Sequence, residues 1–205
     1  MSGPAAGGFA VSIDLDPLDC YRALYGLPRA ELRLDPVYTT AVARFCALLD
    51  ELGARGTLFA VGRALAVAEH AGQLRAAAAA GHEIGNHSFS HRYDLWRLAP
   101  AAIDAEVGRG AAAVERAVGR RPLGFRAPGY LLGAHLLERL GRAGYAYDAS
   151  MLPSPVYPAL KAAARGWLRL RGRPSAARLG DPREALGPAG PRSEERRVGK
   201  ECATG

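Results

Sequence analysis

The sequence of 205 residues contains few cysteines and no long apolar run. Its three cysteines, Cys20, Cys46 and Cys202, form neither a C-x-x-C pair nor an even set, and this suits a reducing compartment. No apolar stretch approaches the roughly 20 residues of a membrane-spanning helix. The first residues also lack the basic start and the apolar segment of a secretory signal. We therefore expect a cytoplasmic protein without a membrane span.

The body of the chain also lacks an excess of charge of one sign. The formal net charge is +7, but residues 1–160 contain 16 arginines against 15 acidic residues and carry only +1. Residues 161–205 contain 11 basic and 5 acidic residues and carry +6. The body therefore has no basic surplus of the kind that nucleic-acid-binding proteins show, and we expect no nucleic-acid partner.

The basic surplus lies in a tail rich in proline, glycine and arginine. Lysine is nearly absent from the chain, which has only Lys161 and Lys200. Residues 192–202 resemble one reading frame of a sequencing-library adapter, so we interpret them as an appended segment. A native, solvated tail is the alternative. In both cases we expect one domain over residues 1–172 and an unstructured tail over residues 173–205. If residues 192–202 are appended, the domain is incomplete at its C-terminus.

Short apolar runs alternate with helical spacing along the body. Apolar runs predict strands, whereas 3.6-residue spacing and helix-terminating glycines predict helices. The predicted strands are 9–13, 57–61, 83–86, 123–125 and 145–147, and the predicted helices are 38–52, 64–80, 100–118, 134–142 and 158–170. A long loop is predicted between the first strand and the first helix. This alternation is typical of an α/β protein with a parallel sheet covered by helices.

Polar residues follow four of the predicted strands, namely Asp14, His87, Arg126 and Asp148. Because the carboxyl ends of parallel strands meet at one rim, we expect these side chains to converge. Arg126 is placed to bind a carboxylate through its guanidinium, and an ordinary exposed arginine is the alternative. Asp148 is either a substrate contact or the N-cap of the next segment, and the cap is the favoured interpretation.

Two short patterns indicate a metal. Asp14 and Asp16 point to the same face if the strand continues through them, and the alternative is a turn before Pro17. His87 and His91 share one face of a helical turn at i, i+4, the spacing of a zinc signature, unless they are two unrelated surface histidines. One carboxylate and two imidazoles leave a position open for water at a catalytic zinc-type ion. The combination predicts metal-assisted hydrolysis, with the second carboxylate moving the proton of the water.

These segments resemble the polysaccharide deacetylases of the nodulation-protein-B type, carbohydrate esterase family 4. Residues 11–16, VSIDLD, are similar to the first motif of that family in its D-x-D form. Residues 81–91, GHEIGNHSFSH, are similar to its H-S/T-x-x-H motif, and residues 125–130, FRAPGY, to its R-x-P motif. Residues 56–62 also resemble a strand segment of the family. The resemblance spans residues 9–160.

The resemblance implies a distorted (β/α) barrel of about seven strands, incomplete in this chain. It implies a divalent metal, with zinc favoured, and a ligand set composed of Asp16, His87 and His91. It also implies Asp14 as the general base and Arg126 as the residue that orients Asp14. The expected reaction removes the acetyl group from an N-acetylated sugar or polysaccharide, which is the expected partner of the protein.

The substrate is expected to lie against Gly129, Tyr130 and, if it is not a cap, Asp148. A backbone N–H near Gly129 or Tyr130 would hold the oxyanion of the intermediate. The family has a late histidine that acts as general acid, and no histidine follows His135 here. A metal hydrolase of non-sugar linear or cyclic amides, or an inactive carbohydrate-binding remnant, is therefore the alternative. His70 and His135, on predicted helices, are expected to face solvent.

Overall fold

A computed structural model describes residues 10–28, 33–152, 154, 156–173, 175–179 and 196–197. Within these residues six helices accompany a sheet whose first five strands are parallel and follow one another in chain order. The strands are β1 Val11–Leu15, β2 Gly56–Ala60, β3 Glu83–Asn86, β4 Gly124–Phe125 and β5 Tyr147–Asp148. The helices are α1 Leu18–Leu24, α2 Val42–Glu51, α3 Ala68–Ala79, α4 Pro100–Val118, α5 Ala134–Arg142 and α6 Val156–Leu170. None of these helices is long and apolar enough to cross a membrane.

The register of the sheet aligns the carboxyl ends of the first three strands. Leu15 lies opposite Ala60, and Ala60 lies opposite Asn86. The residues that follow β1 and β3 are Asp16 and His87, so the chain delivers both to the same edge of the sheet. The predicted parallel α/β arrangement is thus confirmed, and it brings distant segments to one rim.

Two clusters of buried apolar side chains pack the helices against the strands that form this rim. One cluster, which includes Leu15, Leu58, Leu74 and Val114, packs the helices α2 to α4 against the first strands. A second cluster surrounds Phe125, Leu136 and Leu140 beneath β4 and α5. The fully buried Tyr38 donates its hydroxyl to the carbonyl of Leu15 at 2.8 Å and accepts from the N–H of Val61 at 3.1 Å. This side chain therefore ties together the ends of β1 and β2.

The first strand and the segment after it differ from the prediction. β1 covers Val11–Leu15, not residues 9–13, so Asp14 lies within the strand opposite Phe59 and does not follow it. The predicted long loop contains helix α1, whose first N–H group, that of Leu18, donates to Asp35 Oδ2 at 2.7 Å. The helix was missed because its N-terminal acceptor comes from a residue 17 positions away.

The prediction that His70 faces solvent is wrong. The side chain is 2% exposed, because the segment around Asp35 folds over α3. His70 Nε2 accepts the N–H of Asp35 at 2.9 Å, Nδ1 lies 2.9 Å from the carbonyl oxygen of Ala64, and the ring stacks on Tyr38 at 4.8 Å. His135 is exposed, as expected.

The predicted unstructured tail over residues 173–205 lies largely outside the described residues. A few of its described residues contact the body of the chain, and the expectation for the tail stays a prediction. The N–H of Ala176 donates to the carbonyl of Ala23 at 3.0 Å, and Ser175 donates its hydroxyl to the carbonyl of Leu24, so both satisfy acceptors at the end of α1. Arg196–Arg197 form a sixth strand, β6, antiparallel to β5.

Candidate metal centre and active site

Asp16, His87 and His91 meet at one point above the sheet. Asp16 Oδ1 lies 3.2 Å from His87 Nε2 and 3.0 Å from His91 Nε2. Both imidazoles are buried, whereas the carboxylate is partly exposed. The ends of β1 and β3 thus bring together the three side chains on which the predicted metal site depends.

The two histidines do not share a helical turn, contrary to the prediction from their spacing. Residues 87–91, which we call the histidine loop, leave the helical path because Ser88 and His91 have φ values of 62° and 58°. Each left-handed residue other than glycine costs about 1–3 kcal/mol, so surrounding contacts must hold this loop. One of them is local, since the N–H of His91 donates to Ser88 Oγ at 3.1 Å. The imidazoles converge through a strained turn.

The electrostatics of the three groups favour a cation between them. His87 Nδ1 lies 2.7 Å from the carbonyl oxygen of Arg126 and donates to it, so Nε2 is the nitrogen that faces Asp16. Asp16 Oδ1 and His91 Nε2 are buried and have no hydrogen-bond partner among the described residues. Burial alone would raise the pKa of Asp16, but the adjacent His87 and His91 outweigh it and hold the pKa well below its usual range. Burial likewise opposes the charge on His87, but Asp14 and Asp16 raise its pKa above the usual value.

This donor set fits a divalent ion. Oxygen and nitrogen ligands about 2.0–2.1 Å from a tetrahedral zinc ion lie about 3.3 Å from one another. The separations between Asp16 and the two imidazoles are close to that value. One carboxylate oxygen and two Nε2 atoms leave a fourth position for water. The Arg126 carbonyl at His87 Nδ1 is also typical, because metal-binding histidines usually donate their other ring N–H to a carboxylate, a backbone carbonyl or water. Asp16, His87 and His91 could therefore hold such an ion.

Asp14 faces a different partner. Its Oδ1 accepts from Arg126 Nη1 at 2.9 Å. Arg126, only 4% exposed, also donates from Nη2 to Ser12 Oγ at 2.8 Å and from Nε to the carbonyl of Ala149 at 2.9 Å. The guanidinium lies 4.3 Å from the centre of the Phe59 ring. These contacts fix the Arg126 side chain and, through it, the carboxylate of Asp14.

Gly129 and Tyr130 form a turn next to this ion pair. Both have left-handed φ values, 69° and 58°. Burial together with the nearby charge of Asp14 raises the pKa of Tyr130, so its hydroxyl stays protonated. The N–H of Tyr130 already donates to the carbonyl of Ala127 at 3.0 Å. The backbone N–H groups of Gly129 and Tyr130 were the expected oxyanion donors. The N–H of Tyr130 is therefore already engaged in closing the turn.

Asp148 lies inside β5 and is fully buried, so it does not follow the strand as expected. Its Oδ2 accepts the N–H of Ser150 at 3.1 Å, and its Oδ1 accepts the Ser150 hydroxyl. Ser150 Oγ in turn accepts the N–H of Ala127 at 2.7 Å. A carboxylate with no exposed surface is out of reach of a substrate. Asp148 therefore closes a local turn with Ser150, and no helix of the described residues begins there.

Three residues near the site were not recognised in the sequence. Ser12 precedes Asp14 by two residues, and the strand alternation could have placed it on the same face. Tyr93 packs edge-on against His91, with 4.9 Å between the ring centres, and both line a cleft of about 560 Å³. Glu106, on α4, contacts the histidine loop through Ser90. No spacing in the sequence connects Glu106 to that loop.

Comparisons with known proteins agree with this geometry. The polysaccharide deacetylase family profile matches residues 28–147, which include the histidine loop and Arg126. No curated protein matches the chain. A Mycobacterium smegmatis protein described as a polysaccharide deacetylase is 26% identical, with a TM-score of 0.57, over 70% of this chain and 50% of its own.

Two further solved structures are similar. A family 4 carbohydrate esterase from Streptomyces lividans, in complex with acetate, is 28% identical with a TM-score of 0.48, over 53% of this chain and 55% of its own. A family 4 pseudoenzyme from Bacillus anthracis is 14% identical with a TM-score of 0.50, over 73% and 53%, and shares the fold. The chain spans about half the length of these proteins. Because the family profile covers more than half of its residues, this chain belongs to the polysaccharide deacetylase family.

Proposed function

We propose that the protein removes an acetyl group from an N-acetylated sugar or polysaccharide in a metal-dependent hydrolysis. The observation that carries the proposal is the meeting of Asp16, His87 and His91 beside the Asp14–Arg126 pair. Three ligands and a separate, oriented carboxylate are what the hydrolysis of an amide by an activated water requires. Membership of the polysaccharide deacetylase family directs the proposal to carbohydrate amides.

In this proposal Asp16, His87 and His91 hold a divalent ion, with zinc favoured because imidazole nitrogens and a carboxylate are its usual ligands. When bound, the ion supplies Lewis-acid polarisation of the acetamido carbonyl and lowers the pKa of a water molecule to about 7. His87 keeps its tautomer through the Arg126 carbonyl, which leaves Nε2 available for the ion. The protein residues then have to orient the substrate and move protons.

Asp14 acts as the general base. It takes a proton from the attacking water while the water oxygen bonds to the carbonyl carbon, and it then returns that proton to the amine as the carbon–nitrogen bond breaks, which yields acetate and a free amino sugar. Arg126 holds the carboxylate in place through the 2.9 Å contact. General acid–base catalysis of this kind contributes about 10²–10⁴-fold.

Gly129 and Tyr130 contribute the adjacent substrate contacts. Both are partly exposed beside Asp14, whereas Asp148 is buried. We further propose that the five parallel strands are an arc of a distorted (β/α) barrel, because strands that follow one another in chain order without reversal curve in one direction. The catalytic residues would then lie at the carboxyl ends of the barrel strands, the usual position in this architecture.

The test combines metal content with two substrate classes. The full chain, treated with a chelator and then loaded with zinc, is assayed for acetate release from N-acetylglucosamine oligomers and for hydrolysis of small linear and cyclic amides. We expect zinc-dependent acetate release from the oligomers and a much slower reaction with the small amides. The reverse preference would assign the site to non-sugar amides. Stoichiometric zinc without any hydrolysis would indicate an inactive remnant and contradict the proposal.

A further inference from the structure

The histidine loop has a strained backbone with one internal hydrogen bond, from the N–H of His91 to Ser88 Oγ at 3.1 Å. Ser88 and His91 adopt left-handed φ values although neither is a glycine. The loop is also short, with two candidate metal ligands separated by only three residues. Relaxation of either residue to an ordinary φ would turn the His91 imidazole away from Asp16. Contacts from other segments must therefore keep the loop in the conformation that brings the ligands together.

One turn of α4 provides the most direct of these contacts. The half-buried Glu106 accepts two hydrogen bonds from Ser90, one from its N–H to Oε2 and one from its hydroxyl to Oε1, both at 2.9 Å. Ser90 immediately precedes His91. The carboxylate of Glu106 thus binds both the backbone and the side chain of Ser90. The next residue, His91, is a candidate ligand and the second left-handed residue of the loop.

The same turn of α4 is shaped to receive the loop. The carbonyl of Val107 accepts from the Asn86 amide at 2.9 Å. A Cβ at Gly110 would lie 2.3 Å from Asn86 Oδ1 and 2.9 Å from the carbonyl carbon of Ser88, so only glycine permits this approach. The Arg109 guanidinium lies 3.7 Å from the centre of the Phe89 ring. Glu106, Arg109 and Gly110 therefore form one surface of α4 that packs against the histidine loop.

On the opposite side, two backbone hydrogen bonds from the segment after β2 hold the loop. The N–H of Gly62 donates to the carbonyl of Ser88 at 2.9 Å, and the N–H of Arg63 donates to the carbonyl of Phe89 at 2.8 Å. Both bonds end before Ser90. Among the hydrogen bonds that the described residues outside positions 87–91 donate or accept with side chains, those of Glu106 reach the residue next to His91.

We propose that Glu106 is a positioning residue of the metal centre, which acts by holding Ser90 so that His91 points at Asp16 and His87. The inference rests on the proposed function, because it requires that these three residues bind an ion. Glu106 contacts no candidate ligand itself, so its effect passes through the main chain of Ser90. Loss of such an outer contact typically weakens metal affinity about 10- to 100-fold.

The experiment measures zinc affinity of the full chain by competition with a chromophoric chelator, for the wild type and for Glu106→Ala, Glu106→Gln and Ser90→Ala. Glu115→Ala is the matched control, because Glu115 is an exposed glutamate on the same helix. Cobalt(II) is bound in parallel, since its visible absorption depends on coordination geometry. Thermal unfolding in the presence of a chelator reports the stability of each variant without metal.

We expect Glu106→Ala to weaken zinc affinity about 10- to 100-fold and to change the cobalt spectrum. Glu106→Gln, whose amide can accept from the N–H and donate to the hydroxyl of Ser90, should stay within about threefold of the wild type. Ser90→Ala, which removes one of the two bonds, should weaken binding several-fold and tests the inference if Glu106→Ala does not fold. Glu115→Ala should be unchanged.

Wild-type affinity and cobalt spectrum in Glu106→Ala, or in Ser90→Ala if the former does not fold, would overturn the inference. An equal loss in Glu106→Gln would also contradict it, because the amide preserves both bonds to Ser90. A wild-type protein that binds no ion would instead refute the proposed function, so the two failures can be distinguished.

Discussion

The carboxylate of Asp14 and the guanidinium of Arg126 are 2.9 Å apart, although 112 positions separate the two residues in the chain. Asp16, which directly follows β1, faces the two imidazoles. The two aspartates therefore have different electrostatic surroundings, one beside a permanent cation and the other beside two nitrogen donors. This difference underlies the separate roles proposed for them and the first predictions.

The first prediction concerns Asp14→Asn. The amide cannot take a proton from water, so we expect kcat to fall about 10²–10⁴-fold. Zinc content should be unchanged, because Asp14 is not among the three groups that meet at the metal centre. The measurements are acetate release and zinc per chain. A variant with the wild-type rate would remove the assignment of Asp14 as the base.

The second prediction concerns the support of Arg126. Ser12→Ala removes the acceptor of the 2.8 Å bond from Nη2, so we expect a loss of stability of about 1 kcal/mol and a several-fold lower kcat with unchanged zinc content. Ser12→Thr keeps the hydroxyl and serves as the control. Denaturant unfolding and steady-state kinetics check both. Equal effects of the two substitutions would indicate that the volume of the side chain matters and not its hydroxyl.

The third prediction concerns the imidazoles. His87→Ala and His91→Ala each remove one of three ligands, and we expect both variants to lose stoichiometric zinc and turnover together. His135→Ala is the control, because His135 is an exposed histidine on α5. The check is metal analysis after dialysis at neutral pH. Retention of one zinc per chain in His91→Ala would exclude His91 as a ligand.

The fourth prediction compares two glycines of α4. Gly110→Ala places a Cβ 2.3 Å from Asn86 Oδ1, and we expect a destabilisation of about 1–3 kcal/mol. Gly108→Ala meets nothing within 4 Å and should stabilise the protein by up to about 1 kcal/mol, because alanine favours the helix. Denaturant unfolding measures both. Similar effects at the two positions would contradict the close approach of the histidine loop to α4.

The fifth prediction concerns pH. The pKa of Asp16 lies below its usual 3.8, so its contribution to stability is present above that pH and is lost as the pH falls through the lowered pKa. The pKa of His87 lies above its usual 6.5, so its contribution is present below 6.5 and is lost as the pH rises through the raised pKa. The chelated protein should therefore be most stable between about pH 4 and 6.5 with respect to this pair.

Bound zinc should reverse the effect of His87 on the pH dependence of stability. The ion must displace the proton of His87, so zinc affinity decreases as the pH falls and stabilisation by zinc increases as the pH rises. Thermal unfolding across pH, with and without zinc, measures both effects. Zinc stabilisation that does not vary with pH would show that His87 carries no displaceable proton in the metal-free protein.

Much of the fold could be predicted because it depends on local patterns. β3, α4 and α5 have the predicted bounds, since apolar periodicity, Pro100 at the start of α4 and Gly119 with a left-handed φ after its end are signals within the elements themselves. α1 was missed because the acceptor at its start comes from Asp35. The burial of His70 was missed for a similar reason, since it depends on which segment packs over α3.

The same distinction applies to the site. Asp14, Asp16, His87, His91 and Arg126 could be named from the sequence because parallel strands carry the residues at their carboxyl ends to a common rim. The path between the histidines could not be predicted, because the left-handed conformations of Ser88 and His91 also depend on contacts from outside the loop, such as those of Glu106.

The sequence by itself determined the type and order of the five parallel strands and of helices α2 to α6, and with them the edge of the sheet at which the reactive side chains collect. Only the tertiary structure decided which side chains hold those groups in place. Ser12 supports Arg126, Glu106 supports the histidine loop, and Asp148 is withdrawn into a buried turn. The physical reason is that backbone periodicity is a property of neighbouring residues, whereas these contacts depend on the packing of segments far apart in the chain.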